Sequence, residues 1–226
     1  MRICAVLPAF NEASAVGRVV SGIRPHVHTV LVVDDGSNDG TSVEAHAAGA
    51  LVVRHAANEG KGRALRTALT WVLARPFTHA LLMDADGQHA ADDAPALIAA
   101  GTHPDVDLVI GERVFSRDAM PAARYYSNVV GSWALSKFVG VPVADTQSGF
   151  RLVRCAALRG VELTARGYEI ETEMLIRLMR RRARLKCVPV QTVYGVGPSK
   201  LRPVRDTTRT CFLAVKYRFL SRDRVA

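Results

Sequence analysis

The stretch Leu81-Leu82-Met83-Asp84-Ala85-Asp86-Gly87-Gln88-His89 joins an apolar run to two carboxylates one residue apart. Side chains at positions i and i+2 of an extended chain point the same way, so Asp84 and Asp86 can share one divalent cation. A strand that stops at an acidic pair is a natural place to hold Mg²⁺ or Mn²⁺ between protein and phosphate. The alternative is a strand followed by an Asp-rich turn.

Short apolar runs alternate with helical segments on both sides of this stretch. The runs are Ile3–Leu7, Val30–Val33, Leu51–Val53, residues 79–83 and Val106–Ile110. Helices are predicted between them, ending near Ile23, Ala48, Ala74 and Ala100. This alternation is typical of an α/β fold with a mainly parallel central sheet flanked by helices.

The carboxyl ends of four predicted strands carry a concentration of polar side chains. These ends are Pro8–Glu12, Asp34–Ser37, Asp84–Asp86 and Gly111–Arg113. In parallel α/β sheets, ligands bind beyond the carboxyl ends of the strands. The concentration is harder to explain by turn chemistry than any single motif, and it predicts a binding site at this edge.

Two of these segments each allow two interpretations. Asp34 and Asp35 fit the binding of a nucleoside base or ribose, but they equally fit an Asx turn before a helix cap. The segment Gly60–Gly62 fits a close backbone approach to a phosphate with charge from Lys61, or a solvated lysine between glycines. Neither a G-x-G-x-x-G turn nor a P-loop is present, so the common dinucleotide and mononucleotide motifs are excluded.

The net charge of +9 is unevenly distributed along the chain. Residues 1–150 carry a net charge of −3, and residues 151–226 carry +12. Such a basic segment suits nucleic acid, an anionic membrane surface or phosphorylated substrates. No nucleic-acid-binding motif is recognisable, so no nucleic acid partner is expected. The scattered cysteines, Cys4, Cys155, Cys187 and Cys211, favour reduced thiols and a cytoplasmic protein.

Four motifs, in order and in spacing, resemble those of family 2 glycosyltransferases. They are Val6–Glu12, Val32–Thr41, Asn58–Gly62 and Asp84–His89. Further segments resemble the dolichyl- and polyprenyl-phosphate sugar transferases of that family: Gly111–Arg113, Asp145–Arg151, Gly167–Glu173, Val188–Tyr194 and Ser199–Arg202. The resemblance covers roughly residues 3 to 210.

This resemblance implies a GT-A-like single domain, expected over residues 1–202. Residues 203–226 are expected to form a basic amphipathic helix and tail, which suits an interfacial membrane contact, packing on the body or a homodimer. The implied reaction is an inverting, metal-dependent transfer of a hexose from GDP-mannose or UDP-glucose to a polyprenyl or dolichyl phosphate. The protein is then expected to be peripheral on the cytoplasmic face of the membrane.

The resemblance also assigns site residues by position. Asp84, Asp86 and Gln88 would hold Mg²⁺ or Mn²⁺, with Asp84-Ala85-Asp86 as the D-x-D motif. The acceptor phosphate would meet Arg113, Arg124 and Ser127 or Asn128. The catalytic set would be Asp86, Arg113, Arg124 and Asp145. The donor would contact Pro8, Phe10, Asn11, Glu12, Asp34, Asp35, Lys61, Asp84, Ala85, Lys200 and Arg202.

Asp145 distinguishes two acceptor classes. A phosphate oxygen is already anionic near neutral pH, so arginines that hold and aim it suffice, and Asp145 would then order those arginines or the sugar. The alternative is a family 2 transferase that acts on a hydroxyl of a saccharide or small molecule with Asp145 as the base. Glu169 and Glu173 are predicted to lie on a solvated helix face with Glu173 paired to Arg177. His89 is expected to support the site rather than to bind a ligand.

Overall fold

The computed structural model of the protein describes residues 1–113, 131–133, 135–137, 140, 142–143, 145–191 and 217. Several predicted features lie outside this part of the chain. They are Arg124, Ser127, Asn128, Lys200, Arg202 and, apart from Tyr217, the terminal helix of residues 203–226. Their assignments, and the domain boundary at residue 202, stay predictions.

The described residues form one seven-stranded sheet. Its order is β3-β2-β1-β4-β6-β5-β7, and every neighbouring pair is parallel except those that involve β6, which is antiparallel to both β4 and β5. The predicted mainly parallel sheet is therefore confirmed. The strands are β1 (Ile3–Ala9), β2 (Thr29–Asp34), β3 (Leu51–Arg54), β4 (His79–Leu82), β5 (Leu108–Arg113), β6 (Arg151–Arg154) and β7 (Leu185–Val190).

Helices cover both faces of this sheet. Alternation along β1 sends Cys4 and Val6 into one core and Ala5 and Leu7 into the other. The first core is closed by α3 and α6, and the second by α1 and α4. The helices are α1 (Ala13–Ile23), α2 (Thr41–Ala47), α3 (Lys61–Leu73), α4 (Ala94–Gly101), α5 (Cys155–Leu158) and α6 (Ile170–Arg180), with 3₁₀ turns at Arg24–His26 and Ala91–Asp93.

The sheet order brings several chain segments to one edge. The carboxyl ends of β1, β2, β4 and β5 share this edge because these strands all run in the same direction. Antiparallel β6 starts there, since its first residue, Arg151, pairs with both Leu82 and Ile110. The segment that leads into β6 therefore reaches the same edge as Asp84 and Arg113.

The start of α3 is fixed by close backbone packing. Gly60 has φ +96°, a conformation that favours glycine. A Cβ on Gly62 would clash with the carbonyl group of Ala165, and the Gly62 amide donates to the Arg166 carbonyl at 2.8 Å. These contacts hold the first turn of α3, and with it Lys61, against the segment before α6.

The described residues also show the state of three cysteines and the character of the helices. Cys4, Cys155 and Cys187 are free thiols, as the sequence predicted, and burial raises the pKa of Cys155 to about 11. In the same part of the chain, every helix is too short or too polar to cross a membrane.

Candidate functional site

The acidic pair after β4 has an asymmetric environment. Asp84 Oδ1 lies 2.6 Å from Lys61 Nζ, and although burial opposes ionisation, that ammonium helps to hold the pKa of Asp84 below its usual range. Burial and the negative charge of Asp84 raise the pKa of Asp86 to about 6. The Gln88 backbone amide donates to Asp86 Oδ1 at 2.9 Å. The two carboxylates therefore repel each other.

A divalent cation would relieve this repulsion if other ligands complete its shell. Among the described residues there is no group of three or more His, Cys, Asp and Glu side chains suited to hold a metal ion. Mg²⁺ is commonly bound by one or two carboxylates together with substrate phosphates and water. Asp84 and Asp86 therefore fit an ion shared with a phosphate ligand, and not one caged by protein alone.

Lys61 is an internal cation and not a solvated lysine. Its Nζ lies 2.6 Å from Asp84 Oδ1 and 2.7 Å from Glu171 Oε1, and its side chain is 14% exposed. The ammonium also lies 5.0 Å from the centre of the Tyr168 ring. Burial disfavours the charged form, but the two carboxylates raise the pKa of Lys61 above its usual range. The solvated alternative is therefore wrong.

Glu171 had no assigned role in the sequence prediction. A signal was present, because Met174, Leu175 and Leu178 follow at helical spacing on the same apolar face. The Glu171 side chain is 5% exposed, and its Oε2 has no hydrogen-bond partner among the described residues. A buried carboxylate of this kind depends on its cation, Lys61.

Asp34 closes the turn after β2. The residue is fully buried, and its Oδ1 accepts a hydrogen bond from the Ser37 amide at 2.9 Å. Its Oδ2 accepts from the Ser42 hydroxyl and lies 3.8 Å from Arg54 Nε. This is the Asx-turn arrangement weighed from the sequence, and it engages both carboxylate oxygens inside the protein.

Asp35 connects the end of β2 to the start of α3. Its Oδ1 lies 2.7 Å from His55 Nδ1 and accepts from the Glu59 amide at 3.1 Å. Its Oδ2 accepts from the Gly60 amide at 2.7 Å. His55 Nε2 in turn lies 3.0 Å from the Thr67 hydroxyl. Asp35 thereby fixes the turn that presents Lys61.

The loop after β1 is tied to the loop after β2. Asn11 adopts φ +52°, its amide donates to Ser37 Oγ at 2.9 Å, and its Oδ1 accepts from the Asn38 amide at 2.9 Å. The Glu12 amide donates to Thr41 Oγ1 at 2.8 Å. Three other residues predicted to contact the sugar donor lie near these loops and the end of β4. Pro8 and Phe10 are half-buried, and Ala85 is buried.

Arg113 and Asp145 form a bidentate ion pair at the end of β5. Arg113 Nε lies 2.5 Å from Asp145 Oδ2, and Nη2 donates to Oδ1 at 3.0 Å. The Gln147 amide also donates to Oδ1, at 3.2 Å. Asp145 is 1% exposed. Both carboxylate oxygens of Asp145 are therefore engaged, and each of them contacts the Arg113 guanidinium.

Arg151 is a buried cation between the two ion pairs. It is fully buried, and its guanidinium donates to three backbone carbonyls: to Ser148 at 2.7 Å, to Glu171 at 2.6 Å and to Thr146 at 2.7 Å. It thus joins the segment that carries Asp145 to the helix that carries Glu171. The sequence placed Arg151 in a motif without assigning it this function.

Glu173 is buried, so the prediction that it lies on a solvated helix face is wrong. It does lie 3.3 Å from Arg177 Nε, but it is fully buried. Its Oε2 accepts from the Thr164 and Ala165 amides, each at 2.8 Å, and its Oε1 accepts from the Tyr217 hydroxyl at 2.5 Å. The prediction failed because the preceding segment folds over α6 and supplies amides that need an acceptor.

His89 is a buried side chain that packs beside Asp84. Its side chain is 4% exposed, and its Nε2 lies 3.9 Å from Asp84 Oδ2. The imidazole packs on Phe150, with ring centres 5.3 Å apart. Burial lowers the pKa of His89 to about 4, so the ring is neutral at pH 7. This placement agrees with the supporting role expected from the sequence.

The family follows from a direct comparison with known proteins. The model of the family described as "Glycosyl transferase family 2" matches residues 4–161. The chain belongs to glycosyl transferase family 2. It is therefore an enzyme, a glycosyltransferase, and the matched region contains the ends of β1, β2, β4 and β5.

Curated relatives of this family 2 glycosyltransferase include lipid-phosphate sugar transferases. Glycosyltransferase AglJ of Haloferax volcanii is 34% identical over 213 residues, which cover 90% of this chain and 68% of the relative. The undecaprenyl-phosphate mannosyltransferase of Micrococcus luteus is 31% identical over 215 residues, covering 89% of this chain and 88% of the relative. The resemblance seen in the sequence motifs is confirmed.

Solved structures of the glucosyl-3-phosphoglycerate synthase of Mycobacterium tuberculosis share the fold. The complex with Mn²⁺ and UDP-glucose superposes with a TM-score of 0.77 at 24% identity, covering 96% of this chain and 78% of that one. The complex with Mn²⁺, UDP and glucosyl-3-phosphoglycerate gives 0.75 at 25% identity, covering 96% and 79%. These matches confirm the GT-A-like fold class of this family 2 glycosyltransferase.

Proposed function

We propose that this enzyme transfers a hexose, with inversion, from a nucleotide-diphosphate sugar to a polyprenyl phosphate. The observation that carries the proposal is the Arg113–Asp145 pair, in which both carboxylate oxygens are engaged by donors. A hydroxyl acceptor needs a general base, whereas a phosphate oxygen is largely ionised near neutral pH. An arginine oriented by a buried carboxylate suits a phosphate acceptor.

The donor diphosphate is proposed to lie over the end of β4. Lys61 is charged and close to Asp84 there. Asp84, Asp86 and Gln88 would hold Mg²⁺ or Mn²⁺, which when bound supplies positive charge to the departing diphosphate. The M. tuberculosis synthase in complex with Mn²⁺ and UDP supports a divalent cation in this fold.

The nucleoside is proposed to lie over the ends of β1 and β2. The loops that carry Asn11, Glu12 and Asp35 are held together by hydrogen bonds through residues 37–41 and 59–60. This preformed edge is the location at which open α/β sheets bind nucleotides. GDP-mannose and UDP-glucose are the proposed donors.

The reaction requires one bond to form and one to break. The acceptor phosphate oxygen attacks C1 of the hexose, and the bond between C1 and the diphosphate oxygen breaks with its electron pair leaving on the nucleotide. Attack on the face opposite the departing diphosphate inverts the configuration at C1, and no proton transfer is required. Arg113 aims the attacking phosphate, with Arg124 proposed as its partner, and correct orientation supplies much of the rate.

We place the enzyme on the cytoplasmic face of the membrane as a peripheral protein. Support comes from the lipid acceptor named for the Micrococcus relative and from the net charge of +12 over residues 151–226, which favours anionic headgroups. The basic amphipathic helix predicted from the sequence over residues 203–226 is the proposed contact.

An acceptor assay tests the proposal. Purified enzyme with Mn²⁺ and a panel of UDP- and GDP-hexoses is expected to glycosylate polyprenyl phosphate and to leave the uncharged polyprenol unmodified. A thermal-shift panel of the same nucleotides identifies the donor, since a bound donor stabilises the fold by mass action. Transfer to polyprenol or to 3-phosphoglycerate in place of the lipid phosphate would contradict the proposal.

Asp145 separates the two acceptor classes. In the proposed reaction, Asp145→Asn disorders Arg113, so the KM for the lipid phosphate rises while measurable turnover remains. If the enzyme instead acts on a hydroxyl with Asp145 as base, the same variant loses about 10²- to 10⁴-fold in kcat and keeps its donor affinity. Arg113→Ala is expected to weaken acceptor binding in the phosphate case.

A further inference from the structure

Lys61 is shared almost equally between two carboxylates. Its Nζ lies 2.6 Å from Asp84 and 2.7 Å from Glu171. Each partner is an ion-pair contact by itself, so the ammonium can leave one carboxylate and still keep a buried counter-charge. The Gly60 and Gly62 contacts hold the first turn of α3 in place, so such a movement involves the flexible side chain and not the backbone.

Asp84 has little room to turn away from Lys61. On its Oδ2 side the backbone of Gly149 is so close that a Cβ there would lie 2.7 Å from the oxygen. His89 Nε2 lies 3.9 Å from the same oxygen. A divalent cation that binds Asp84 therefore meets a carboxylate that is confined on one side and already paired with Lys61 on the other.

We propose that Lys61 is a movable counter-ion that competes with the divalent cation for Asp84 and stays paired with Glu171 when it is displaced. The inference rests on the proposed use of Asp84 as a metal ligand. Glu171 serves as the resting partner, because its buried Oε1 lies 2.7 Å from Lys61 Nζ and its Oε2 has no hydrogen-bond partner among residues of the described segments. Glu171 is thereby a positioning residue that acts through Lys61.

This arrangement predicts opposite effects at the two ends of one ion pair. Lys61→Met removes the competing cation, so the affinity for Mn²⁺ in the absence of nucleotide increases. Glu171→Gln removes the resting partner, so Lys61 pairs with Asp84 alone and the affinity for Mn²⁺ decreases. A purely structural role for the pair predicts that both variants weaken Mn²⁺ binding, because either substitution breaks the buried Lys61–Glu171 ion pair and disturbs the position of Asp84.

The experiment is a Mn²⁺ titration of the full chain without nucleotide, followed by electron paramagnetic resonance of free Mn²⁺. Lys61→Met is expected to bind Mn²⁺ about tenfold more tightly. An opposite charge within about 4–6 Å shifts the proton-binding equilibrium of a carboxylate by about that factor or more, and we expect a comparable effect on cation binding. Glu171→Gln is expected to shift the affinity the other way. If Lys61→Met does not fold, Lys61→Gln replaces it with the same expectation.

Two controls separate direct competition from a change in net charge. Arg63→Met lies on the same helix and also removes one positive charge, but Arg63 is half exposed and pairs with Glu59 at 3.3 Å. It is expected to leave Mn²⁺ affinity nearly unchanged. Lys61→Arg keeps the charge and is expected not to tighten binding. The tightening in Lys61→Met should also persist at high salt, where effects between distant charges are screened.

Three results would overturn the inference. They are unchanged or weaker Mn²⁺ binding by Lys61→Met, shifts of the same sign in Lys61→Met and Glu171→Gln, and no Mn²⁺ binding by any variant. Failure of the proposed function can be distinguished from failure of this inference. Opposite shifts in Mn²⁺ affinity without sugar transfer to polyprenyl phosphate would refute the proposed acceptor but support the role of Lys61 as a counter-ion.

Discussion

Gly149 lies directly against the carboxylate of Asp84. A Cβ on residue 149 would be 2.7 Å from Oδ2 and 3.0 Å from the carboxyl carbon of Asp84. Carbon atoms do not approach an oxygen this closely without displacement, so Asp84 can hold this position only because residue 149 carries no side chain. The segment before β6 therefore shapes the site through its backbone as well as through Asp145.

Gly149→Ala is expected to displace Asp84 and to weaken Mn²⁺ binding. Forcing one methyl group into a packed site costs about 1–3 kcal/mol, and part of that cost falls on the carboxylate that moves. Since about 1.4 kcal/mol corresponds to a tenfold change in affinity, we expect Mn²⁺ affinity to fall about tenfold or more. The rate of sugar transfer should also fall. Calorimetric titration measures the first, and the acceptor assay measures the second.

The matched control is Gly17→Ala in α1, where an added Cβ would make ordinary contacts at 3.7 Å and 3.8 Å. That variant should keep its Mn²⁺ affinity and gain about 0.5–1 kcal/mol in the free energy of unfolding from helix propensity. Wild-type Mn²⁺ binding by Gly149→Ala would show that Asp84 is not set by this contact.

Asp86→Asn is expected to stabilise the metal-free protein at neutral pH. Burial and Asp84 raise the pKa of Asp86 to about 6, so the folded protein binds a proton that the unfolded chain has released between about pH 4 and pH 6. Wild-type stability therefore falls as pH rises through this window. The gain from Asn should be about 1–3 kcal/mol at pH 7.5 and should vanish below about pH 4.

Urea unfolding of both proteins at pH 4 and pH 7.5, with chelator present, measures this difference. The same variant should lose sugar transfer, since it removes a proposed metal ligand. A variant that is less stable than wild type at pH 7.5 would mean that Asp86 is stabilised in its ionised form.

Glu173→Gln is expected to destabilise the fold without a specific effect on Mn²⁺ binding. Burial opposes ionisation of Glu173, but hydrogen bonds from Tyr217, Ala165 and Thr164 hold its pKa below its usual range. Charge-assisted hydrogen bonds of this kind contribute about 1.5–3 kcal/mol each, so we expect a total loss of about 2–4 kcal/mol. Thermal unfolding at pH 7 measures it.

The contribution of Glu173 depends on pH in a defined direction. Because the folded pKa is lowered, the stabilisation is complete above the unfolded pKa of about 4.3 and is lost as pH falls through the folded pKa. The difference between wild type and Glu173→Gln should therefore shrink below about pH 4. As a comparison, Glu59→Gln alters a half-exposed carboxylate and should change stability by less than about 0.5 kcal/mol.

Arg151→Lys is expected to impair both stability and acceptor binding. An ammonium cannot reach the Ser148, Glu171 and Thr146 carbonyls together, as the planar guanidinium does. Carbonyls left without donors cost about 1–3 kcal/mol each. In the protein that remains folded, the KM for lipid phosphate should rise, because the Asp145 segment that orients Arg113 is no longer fixed.

The kinetic result separates positioning from stability alone. Assays well below the unfolding temperature, corrected for the folded fraction, would show wild-type KM and kcat if Arg151 only stabilised the fold. An increase in KM for the acceptor greater than that for the donor is the expected result.

Local sequence was sufficient for the first half of the sheet. Apolar runs at Ile3–Leu7 and Val30–Val33 became β1 and β2, each two residues longer than predicted. β5 begins at Leu108 and not at Val106, and it extends to Arg113. β6 and β7 were not predicted as strands, because short mixed segments such as Arg151–Arg154 have no clear period of two residues.

The sequence by itself determined the α/β class, the acidic pair after β4 and the family. These depend on hydrophobic periodicity and on motifs that are contiguous in the chain, so they can be seen without the fold. The tertiary structure decided how the charges are paired: Lys61 with Asp84 and Glu171, Arg113 with Asp145 at a separation of 32 residues, and the burial of Glu173. No local pattern encodes these contacts, because the parallel sheet, with β6 inserted, brings distant loops to one edge, and burial there makes each carboxylate depend on a particular cation.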